Sequence, residues 1–266
     1  MITLSSLIYY PIKACRGHEV EAWNVERMGL EHDRRMMVVT PEGQFLTQRQ
    51  FPKLALVTPA LKDAILTLSA PGFDSIRIPI RTSGYAWLVN IWKSKGVEAI
   101  DQGDEAVEWF SDWLGMSVRL VHIADGFQRM VNSQYAVNAD DHTGFADGYP
   151  ILLISEESLG NLNSRLETPL PMNRFRPNIV VKGCDAFAED TWNRIQIGDV
   201  KLAIVKPCAR CEVTTIDKET LERNKEPLKT LGKYRKHALG AIFGQNVIPR
   251  NGGRLEVGMN VNEIQK

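Results

Sequence analysis

Two cysteines three positions apart carry the most evident chemistry in this sequence. Cys208 and Cys211 lie in the segment VKPCARCEVTTID at 205–217, between two runs that read as strands. A thiolate binds soft metal ions and attacks electrophiles, and the neighbouring cations Lys206 and Arg210 favour the ionised thiol. The spacing therefore indicates a tight loop that is reactive, metal-binding or structural.

Four interpretations of this C-x-x-C pair stay open. A zinc site needs four ligands, but Cys15 and Cys184 are isolated and the histidines form no H-x3–5-H motif. A dithiol redox pair normally opens a helix, whereas β-branched residues predict a strand over 212–217. The other two interpretations are a pair of buried structural cysteines and a single thiolate ligand to a soft or high-valent metal.

The elements that would position this loop are mostly short strands. Alternating apolar residues between Gly and Pro turns predict strands at 36–40, 45–49, 64–69, 75–80, 87–92, 150–154, 178–183, 194–207 and 252–261. The first two flank the turn PEGQ and predict a hairpin, and 194–207 predicts another that turns at Gly198-Asp199.

Two segments have the apolar periodicity of helices. They are 104–115, with Asp104 as the expected N-cap, and 155–167, with Ser155 as the expected N-cap. The predicted fold class is therefore mostly β (α+β) with a few helices. A soft boundary near residue 118 divides the chain into two closely associated parts, 1–118 and 119–266.

Composition excludes several classes of protein. The 266 residues include 32 Lys plus Arg and 32 Asp plus Glu, so the net charge is zero. We expect no nucleic-acid partner, because a molecule-wide basic field is missing. No apolar run approaches the ~18 residues of a membrane span, and the N-terminal segment lacks the basic start of a signal peptide. We therefore expect a cytoplasmic protein that does not bind membranes.

Several ordered blocks resemble the MOSC family, named after the C-terminal domain of molybdenum cofactor sulfurases. The blocks are YYPIKACRG (9–17), GLEHDRRMMVV (29–39), LTQRQFPKL (46–54), FADGYPILLISEESLGNLNSRL (145–166), RFRPNIVV (174–181), AFAEDTWNRIQIGDV (186–200) and VKPCARCEVTTID (205–217). They are similar to amidoxime-reducing components and to bacterial hydroxylaminopurine reductases, and they cover nearly the whole chain. The resemblance implies an N-terminal β-barrel-like domain at 1–118 packed on a MOSC β-barrel domain at 119–266.

The resemblance also implies a cofactor and a reaction. It implies a molybdenum cofactor, in which one pterin (molybdopterin) holds the Mo, with a protein thiolate on the metal. That ligand falls on Cys211, which would be both metal-binding and catalytic, and Cys208 has no assigned metal role. The expected activity is that of an oxidoreductase that reduces small N-hydroxylated substrates such as hydroxylaminopurines, amidoximes and hydroxylamines.

The sequence departs from these relatives in three respects. No cysteine follows Cys211, so we expect no iron–sulfur domain of the kind that the hydroxylaminopurine reductases carry. Electrons are then expected from a separate protein, a flavin or iron–sulfur reductase. Ala14 stands where some relatives have Ser, so one hydrogen bond to the cofactor is expected to be lost. The mitochondrial targeting and membrane segment of the eukaryotic relatives is also missing.

The cofactor is a polyanion, so its site needs guanidinium and ammonium groups. The matching blocks assign cofactor binding to Lys13, Arg34, Arg49, Arg174, Arg176 and Asn178. For each arginine the alternative is a solvated surface charge. Arg176 is expected to be partly sheltered, because it lies between Phe175 and Pro177 in an apolar stretch. Alternation sends Arg34 and Arg35 to opposite faces, and the family block favours Arg34.

The block FADGYP supplies three further candidates at 147–149. Asp147 is a candidate general acid that would deliver a proton to the oxygen leaving nitrogen. Its alternative is a turn residue that satisfies backbone amides. Gly148 would let the backbone approach the cofactor, and Tyr149 is assigned to cofactor binding with it.

Two other functions stay open at the level of the whole chain. One is a molybdenum cofactor carrier or sulfur-transfer module that uses the same thiolate without turning over a substrate. An apolar, closed pocket would favour storage, and an open pocket beside the metal would favour catalysis. The other is a β-barrel binding protein that holds no metal.

Overall fold

The computed structural model describes residues 1–264, and most of its regular elements are strands. In chain order the strands are β1 (Thr3–Tyr9), β2 (His18–Val20), β3 (Ala22–Glu26), β4 (Gly29–Leu30), β5 (Met36–Val39), β6 (Thr58–Lys62), β7 (Ile65–Ala70), β8 (Phe73–Pro79), β9 (Ala86–Ile91), β10 (Ser94–Asp101), β11 (Arg119–Ile123), β12 (Arg129–Met130), β13 (His142–Thr143), β14 (Ile151–Ser155), β15 (Ile179–Lys182), β16 (Arg194–Ile197), β17 (Val200–Ala209), β18 (Lys236–His237), β19 (Gly240–Pro249), β20 (Gly253–Glu256) and β21 (Val261–Glu263). The α-helices are α1 (Asp104–Leu114), α2 (Glu156–Asn163) and α3 (Leu228–Tyr234), and short 3-10 helices lie at Pro52–Leu56, Met172–Arg174, Ala188–Asp190 and Glu212–Thr215. The mostly β (α+β) fold predicted from the sequence is confirmed.

The largest sheet has nine strands and joins both ends of the chain. Its order is β2-β1-β15-β14-β19-β17-β16-β21, and β18 pairs with β19. β1 runs antiparallel to β15, with Leu7 opposite Ile179, and β15 runs parallel to β14. Apolar side chains of these strands, such as Leu4 and Leu153, are fully buried and form one core. This sheet carries β14, β15 and β17, whose ends bear the motif blocks.

The sheets β5-β11-β10-β9 and β6-β7-β8 enclose a second core together with helix α1. The sheet β20-β3-β4 packs on the first core instead, and β12 pairs with β13. Helix α1 buries Ala106, Trp109 and Phe110, as its periodicity predicts. It stops at Gly115, whose φ of 71° is the left-handed conformation that glycine adopts at helix ends. Its N-cap is Gly103 rather than the predicted Asp104, which begins the helix instead and stabilises its positive end.

Four predicted elements differ from the observed ones in type, length or pairing, each for a local reason. The strand expected over 212–217 is the 3-10 helix Glu212–Thr215, because Thr214 and Thr215 donate their hydroxyls to the carbonyls three residues back, at 2.9 and 2.8 Å. Helix α2 keeps Ser155 as N-cap but ends at Asn163 instead of 167, because the Asn163 carboxamide binds the backbone of Leu170 and turns the chain. The run 252–261 divides into β20 and β21, in two sheets. Only Phe45 of the run 45–49 bridges to β5, so that hairpin forms only at its turn.

Sheets cross the boundary expected near residue 118. β1 belongs to the nine-stranded sheet with β15, and β11, which begins at Arg119, pairs with β5 and β10. Late in the chain, β20 pairs with β3. The division into 1–118 and 119–266 stays a prediction, and its last two residues lie outside the described range. Within residues 1–264, every helix is too short or too polar to span a bilayer.

Candidate functional site

One cleft collects every residue that the sequence assigned to the site. It lies where the C-terminal end of β17 meets the loops that precede β14 and β15 and four segments from the first hundred residues. Its lining includes all the predicted residues: Lys13, Arg34, Arg49, Asp147, Gly148, Tyr149, Arg174, Arg176, Asn178 and Cys211. Arg210 adds another cation, whereas Asp147 is the carboxylate of the described lining. The cleft is therefore strongly cationic in a chain without net charge, and the individual roles stay predictions.

Lys13 and Asp147 form an ion pair inside the cleft. Lys13 is buried, and its Nζ donates to an Asp147 carboxylate oxygen and to the carbonyl of Phe145 at 3.0 Å. The Nε1–H of Trp92 donates to the same carboxylate oxygen at 3.0 Å. Desolvation acts to raise the pKa of Asp147, but the Lys13 charge and both donors outweigh it and hold that pKa well below its ordinary range. Asp147 is thus an ionised hydrogen-bond acceptor at neutral pH in the protein alone, and its role as a general acid stays a prediction.

A buried network fixes Arg34 at the floor of the cleft. Its guanidinium donates to Asp33 at 2.7 Å and to the Asn178 side-chain oxygen at 2.9 Å. Asn178 is fully buried, and its amide nitrogen donates to Asp33 and to the carbonyl of Ile8. The Asn178 carboxamide is therefore engaged within the protein and positions Arg34. Arg35, by contrast, lies outside the cleft lining and pairs with Glu26, as the alternation of the two side chains predicts.

Two arginines contact one aromatic ring beneath the cleft. The guanidinium carbons of Arg34 and Arg176 lie 4.3 and 4.2 Å from the centre of the Tyr10 ring. Both arginines have positive φ, 48° and 57°, and so does Ala14 beside Lys13, at 69°. Non-glycine residues in this conformation cost about 1–3 kcal/mol each and cluster at functional sites. The backbone is therefore strained at each of these three residues, and Trp92, with a φ of 51°, is a fourth such residue in the cleft lining.

Several arginines that line the cleft have a buried nitrogen without a hydrogen-bond partner in the described part of the chain, which bears on whether a polyanion fits there. Arg174 is only 2 % exposed and uses two of its nitrogens on the Thr214 carbonyl and on Asp217. Its Nη2 nevertheless has no partner among residues 1–264, and the same holds for Arg176 Nη2, Arg49 Nε and Arg210 Nε. Buried donors left unpaired are costly, so native structures normally provide an acceptor such as an ion. A polyanionic pterin cofactor matches this donor set.

The two cysteines of the C-x-x-C lie side by side along the cleft. Cys208 is near the end of β17, and Cys211 is the N-cap of the 3-10 helix that follows. Both are partly buried free thiols that line the cleft. Arg210 donates to the Cys208 sulfur at 3.1 Å and to the Phe175 carbonyl at 2.6 Å. Cys208 therefore already has a partner in the protein, whereas the described residues give Cys211 Sγ no hydrogen bond.

The three remaining predicted residues, Arg49, Gly148 and Tyr149, also line the cleft. The Arg49 guanidinium carbon is 4.9 Å from the ring centre of Trp92. A Cβ added to Gly148 would meet no protein atom within 4 Å, so the space over its backbone is open. Burial raises the pKa of Tyr149 to about 12, and its phenol stays neutral. The opening of the cleft thus combines cations, an aromatic wall and a neutral hydroxyl.

Sequence reasoning missed two functional candidates. Trp92 was predicted only as the end of a strand, and it lies in the β9–β10 loop, outside the matching blocks. Lys218 is 7 % exposed, and its Nζ donates to the side-chain oxygen of Gln48 at 2.8 Å and to the Val213 carbonyl at 2.9 Å. Gln48 in turn donates to the carbonyl of Ala14. Lys218 therefore ties the Cys211 loop to the segment that carries Lys13, and no local pattern in the sequence signals this.

The buried Lys218 should make stability depend on pH. Burial, reinforced by the charges of Arg176 and Arg174, lowers the pKa of Lys218 to about 7. Between about pH 7 and its ordinary value of 10.5 the unfolded chain binds the proton and the folded chain does not, so this group adds stability as pH rises. Urea unfolding of wild type and Lys218→Met from pH 6 to 9 measures this effect. The free energy of unfolding of wild type should increase relative to that of the variant as pH rises. A constant difference between the two would contradict the buried, shifted ammonium.

Comparisons with known proteins match the chain to two domain families and to a group of relatives. Residues 1–117 match the MOSC N-terminal beta barrel domain, and residues 140–262 match the MOSC domain. The chain is 38% identical to mitochondrial amidoxime-reducing component 1 of Mus musculus over 96% of this chain and 80% of that protein. It is 37% identical to component 1 of Danio rerio, over 98% and 84% of the two chains. It is 40% identical to component 2 of Rattus norvegicus, over 88% and 72%.

Proposed function

The chain belongs to the MOSC family, and on that premise we propose that it is a molybdenum-cofactor-dependent oxidoreductase that reduces N-hydroxylated compounds with electrons from a separate protein. The observation that carries the proposal is the meeting of Cys211 with six cationic side chains in one cleft, where four of the arginines each keep a buried nitrogen without a partner among residues 1–264. The relatives named above are amidoxime-reducing components, which supports the class of substrate.

The residues divide by what they would hold. Cys211 would supply the thiolate to the metal, because soft ligands suit it. The donors of Arg49, Arg174 and Arg176 would bind the anionic end of the cofactor, with Lys13 and Arg34 as further cations. When bound, the cofactor supplies the two-electron chemistry that cleaves the N–O bond.

The Lys13–Asp147 pair would contact the substrate and hold a proton next to it. The Asp147 side chain is 72% exposed, so its carboxylate is available to accept an N–H from a bound molecule. The Lys13 ammonium holds a proton beside it, although burial lowers the pKa of Lys13. We therefore assign to Asp147 an acceptor role toward substrate, and we assign the ammonium of Lys13 as the proton-bearing group of the pair.

The openness of the cleft favours catalysis over storage. Cys208 and Cys211 are only partly buried, and six cationic side chains line the cleft together with them. A carrier module would be expected to enclose its cofactor in an apolar pocket. Molybdenum and pterin contents of protein purified from a host that makes the cofactor test both functions at once. Protein without either component would exclude both the oxidoreductase and the carrier.

A cytoplasmic location stays a prediction.

The source of electrons gives a direct test of the proposed activity. The described residues contain no group of three or more metal-ligating side chains that could hold an iron–sulfur cluster, and the sequence has no G-x-G-x-x-G turn. Loaded protein should reduce hydroxylamine or an amidoxime with reduced viologen and should not do so with NADH or NADPH alone. Adding a separate reductase should restore use of the pyridine nucleotide. Turnover by the isolated chain with NADH would contradict the proposal of a separate donor.

A further inference from the structure

A tryptophan stands at the tip of the β9–β10 hairpin, where the backbone favours glycine. Trp92 and Lys93 form the two-residue loop between Ile91 and Ser94, and the φ of Trp92 is 51°. Positive φ at the first position of such a loop is normally supplied by Gly, Asn or Asp. For a side chain as bulky as tryptophan this conformation is an outlier that the surroundings must hold in place. Trp92 therefore strains the backbone at a position where Gly, Asn or Asp would cause less strain.

Contacts from the cleft hold the indole of Trp92. The Phe45 ring packs on it edge to face with 4.7 Å between ring centres, and the Arg49 guanidinium lies 4.9 Å from its centre. Its Nε1–H donates to Asp147 Oδ1 at 3.0 Å, so the N-terminal part of the chain reaches a residue of the MOSC domain. These contacts place the ring directly beside the carboxylate.

The indole stays partly open to the cleft. Trp92 is 38% exposed, and of the exposed large apolar side chains in residues 1–264 it alone lines the cleft. Both protein donors to Asp147 reach Oδ1, which leaves Oδ2 of this exposed carboxylate for another donor. A ligand in the mouth of the cleft would thus meet an aromatic surface and a hydrogen-bond acceptor at adjacent positions.

We propose that Trp92 is a specificity-determining residue that packs against the planar part of the substrate while Asp147 Oδ2 accepts an N–H from it. The proposal rests on the proposed function and narrows it. It selects N-hydroxylated compounds in which an aromatic or heteroaromatic ring adjoins an N–H group, as in an aromatic amidoxime. Small hydroxylamines have the N–H without the ring and gain nothing from Trp92.

The test compares two substrates in four proteins. Molybdenum-loaded wild type, Trp92→Ala, Trp92→Phe and the control Leu88→Ala are assayed with reduced viologen against benzamidoxime and hydroxylamine. Leu88 is 65% exposed on the same hairpin but does not line the cleft. In Trp92→Ala, kcat/KM for benzamidoxime should fall about tenfold, mainly through KM, because aromatic contacts contribute on that scale. Hydroxylamine should change less than about twofold, and Trp92→Phe should lie between wild type and Trp92→Ala.

A binding measurement separates this inference from the proposed function. Benzamidine has the planar ring and N–H groups but no N–O bond, and calorimetry on the same loaded proteins measures its affinity without turnover. We expect weaker binding in Trp92→Ala and unchanged binding in Leu88→Ala. If wild type reduces neither substrate, the proposed function fails while this binding comparison still decides the inference. Equal losses for both substrates, or unchanged benzamidine affinity in Trp92→Ala, would overturn the role of Trp92.

Discussion

Cys211→Ser is expected to abolish reduction of N-hydroxylated compounds while leaving the fold intact. Serine replaces the thiol with little change in volume, but its hydroxyl stays protonated near neutral pH and does not supply the anionic ligand that a thiolate does. The loss should therefore exceed the roughly 10- to 100-fold that outer-shell changes cause around metal sites. Activity with reduced viologen and molybdenum content measure the effect, and circular dichroism checks the fold.

Cys208→Ser is the matched control for that variant. Its sulfur accepts a hydrogen bond from Arg210 at 3.1 Å, and a serine oxygen accepts from the same guanidinium. This variant should keep molybdenum and most of the activity. If Cys208→Ser lost the metal and Cys211→Ser kept it, the assignment of the two cysteines would be reversed.

Arg176→Ala is expected to lose cofactor more than stability. The side chain lies over Tyr10, donates to the Cys15 carbonyl at 2.6 Å and keeps one buried nitrogen without a partner among residues 1–264. Hydrogen bonds to charged groups contribute about 1.5–3 kcal/mol, so cofactor retention should weaken about 10- to 100-fold. Molybdenum and oxidised-pterin fluorescence per protein after extensive dialysis measure retention.

Two control variants show whether the effect of Arg176→Ala depends on the position of the arginine and on its planar guanidinium. Arg16 pairs with Glu219 at the surface and is not part of the cleft lining. Arg16→Ala should keep wild-type cofactor content, and Arg176→Lys should retain an intermediate amount, since it keeps the charge and loses the planar fork. An Arg176→Ala protein with normal cofactor content and only a lower melting temperature would show that Arg176 is structural.

Elements with a strong period were predictable from the sequence, as helix α1 shows. Its buried face of Ala106, Trp109 and Phe110 needed only the spacing of apolar residues and a glycine stop. The residues of the cleft were predictable for another reason. They lie in short blocks whose order resembles a known family, and the fold brings those blocks together. Neither composition nor periodicity would have joined Lys13 to Asp147 across 134 positions.

Residues whose role depends on distant contacts escaped prediction. The threonines of 214–215 have high strand propensity, but hydroxyl bonds to nearby carbonyls turn that segment into a 3-10 helix. Trp92 looked like one more strand residue, because nothing local reveals a positive φ or a partner at Asp147. Lys218 sits among charged neighbours in the sequence, and only the packed structure shows that it is buried.

The pairing of β1 with β15 affects how this chain folds during synthesis. Thr3 lies opposite Lys182, so β1 leaves the ribosome well before its partner β15, which follows roughly 180 residues later in the chain. At about 5–20 residues per second, the edge of β1 that faces β15 waits roughly 10–40 seconds for its partner, whereas β2 is available to the other edge much earlier. Such non-local pairing folds slowly and leaves apolar strand edges exposed in the meantime. The nascent chain should therefore be a substrate for chaperones, and the strand that precedes Lys13 should be among the last parts of the cofactor cleft to settle.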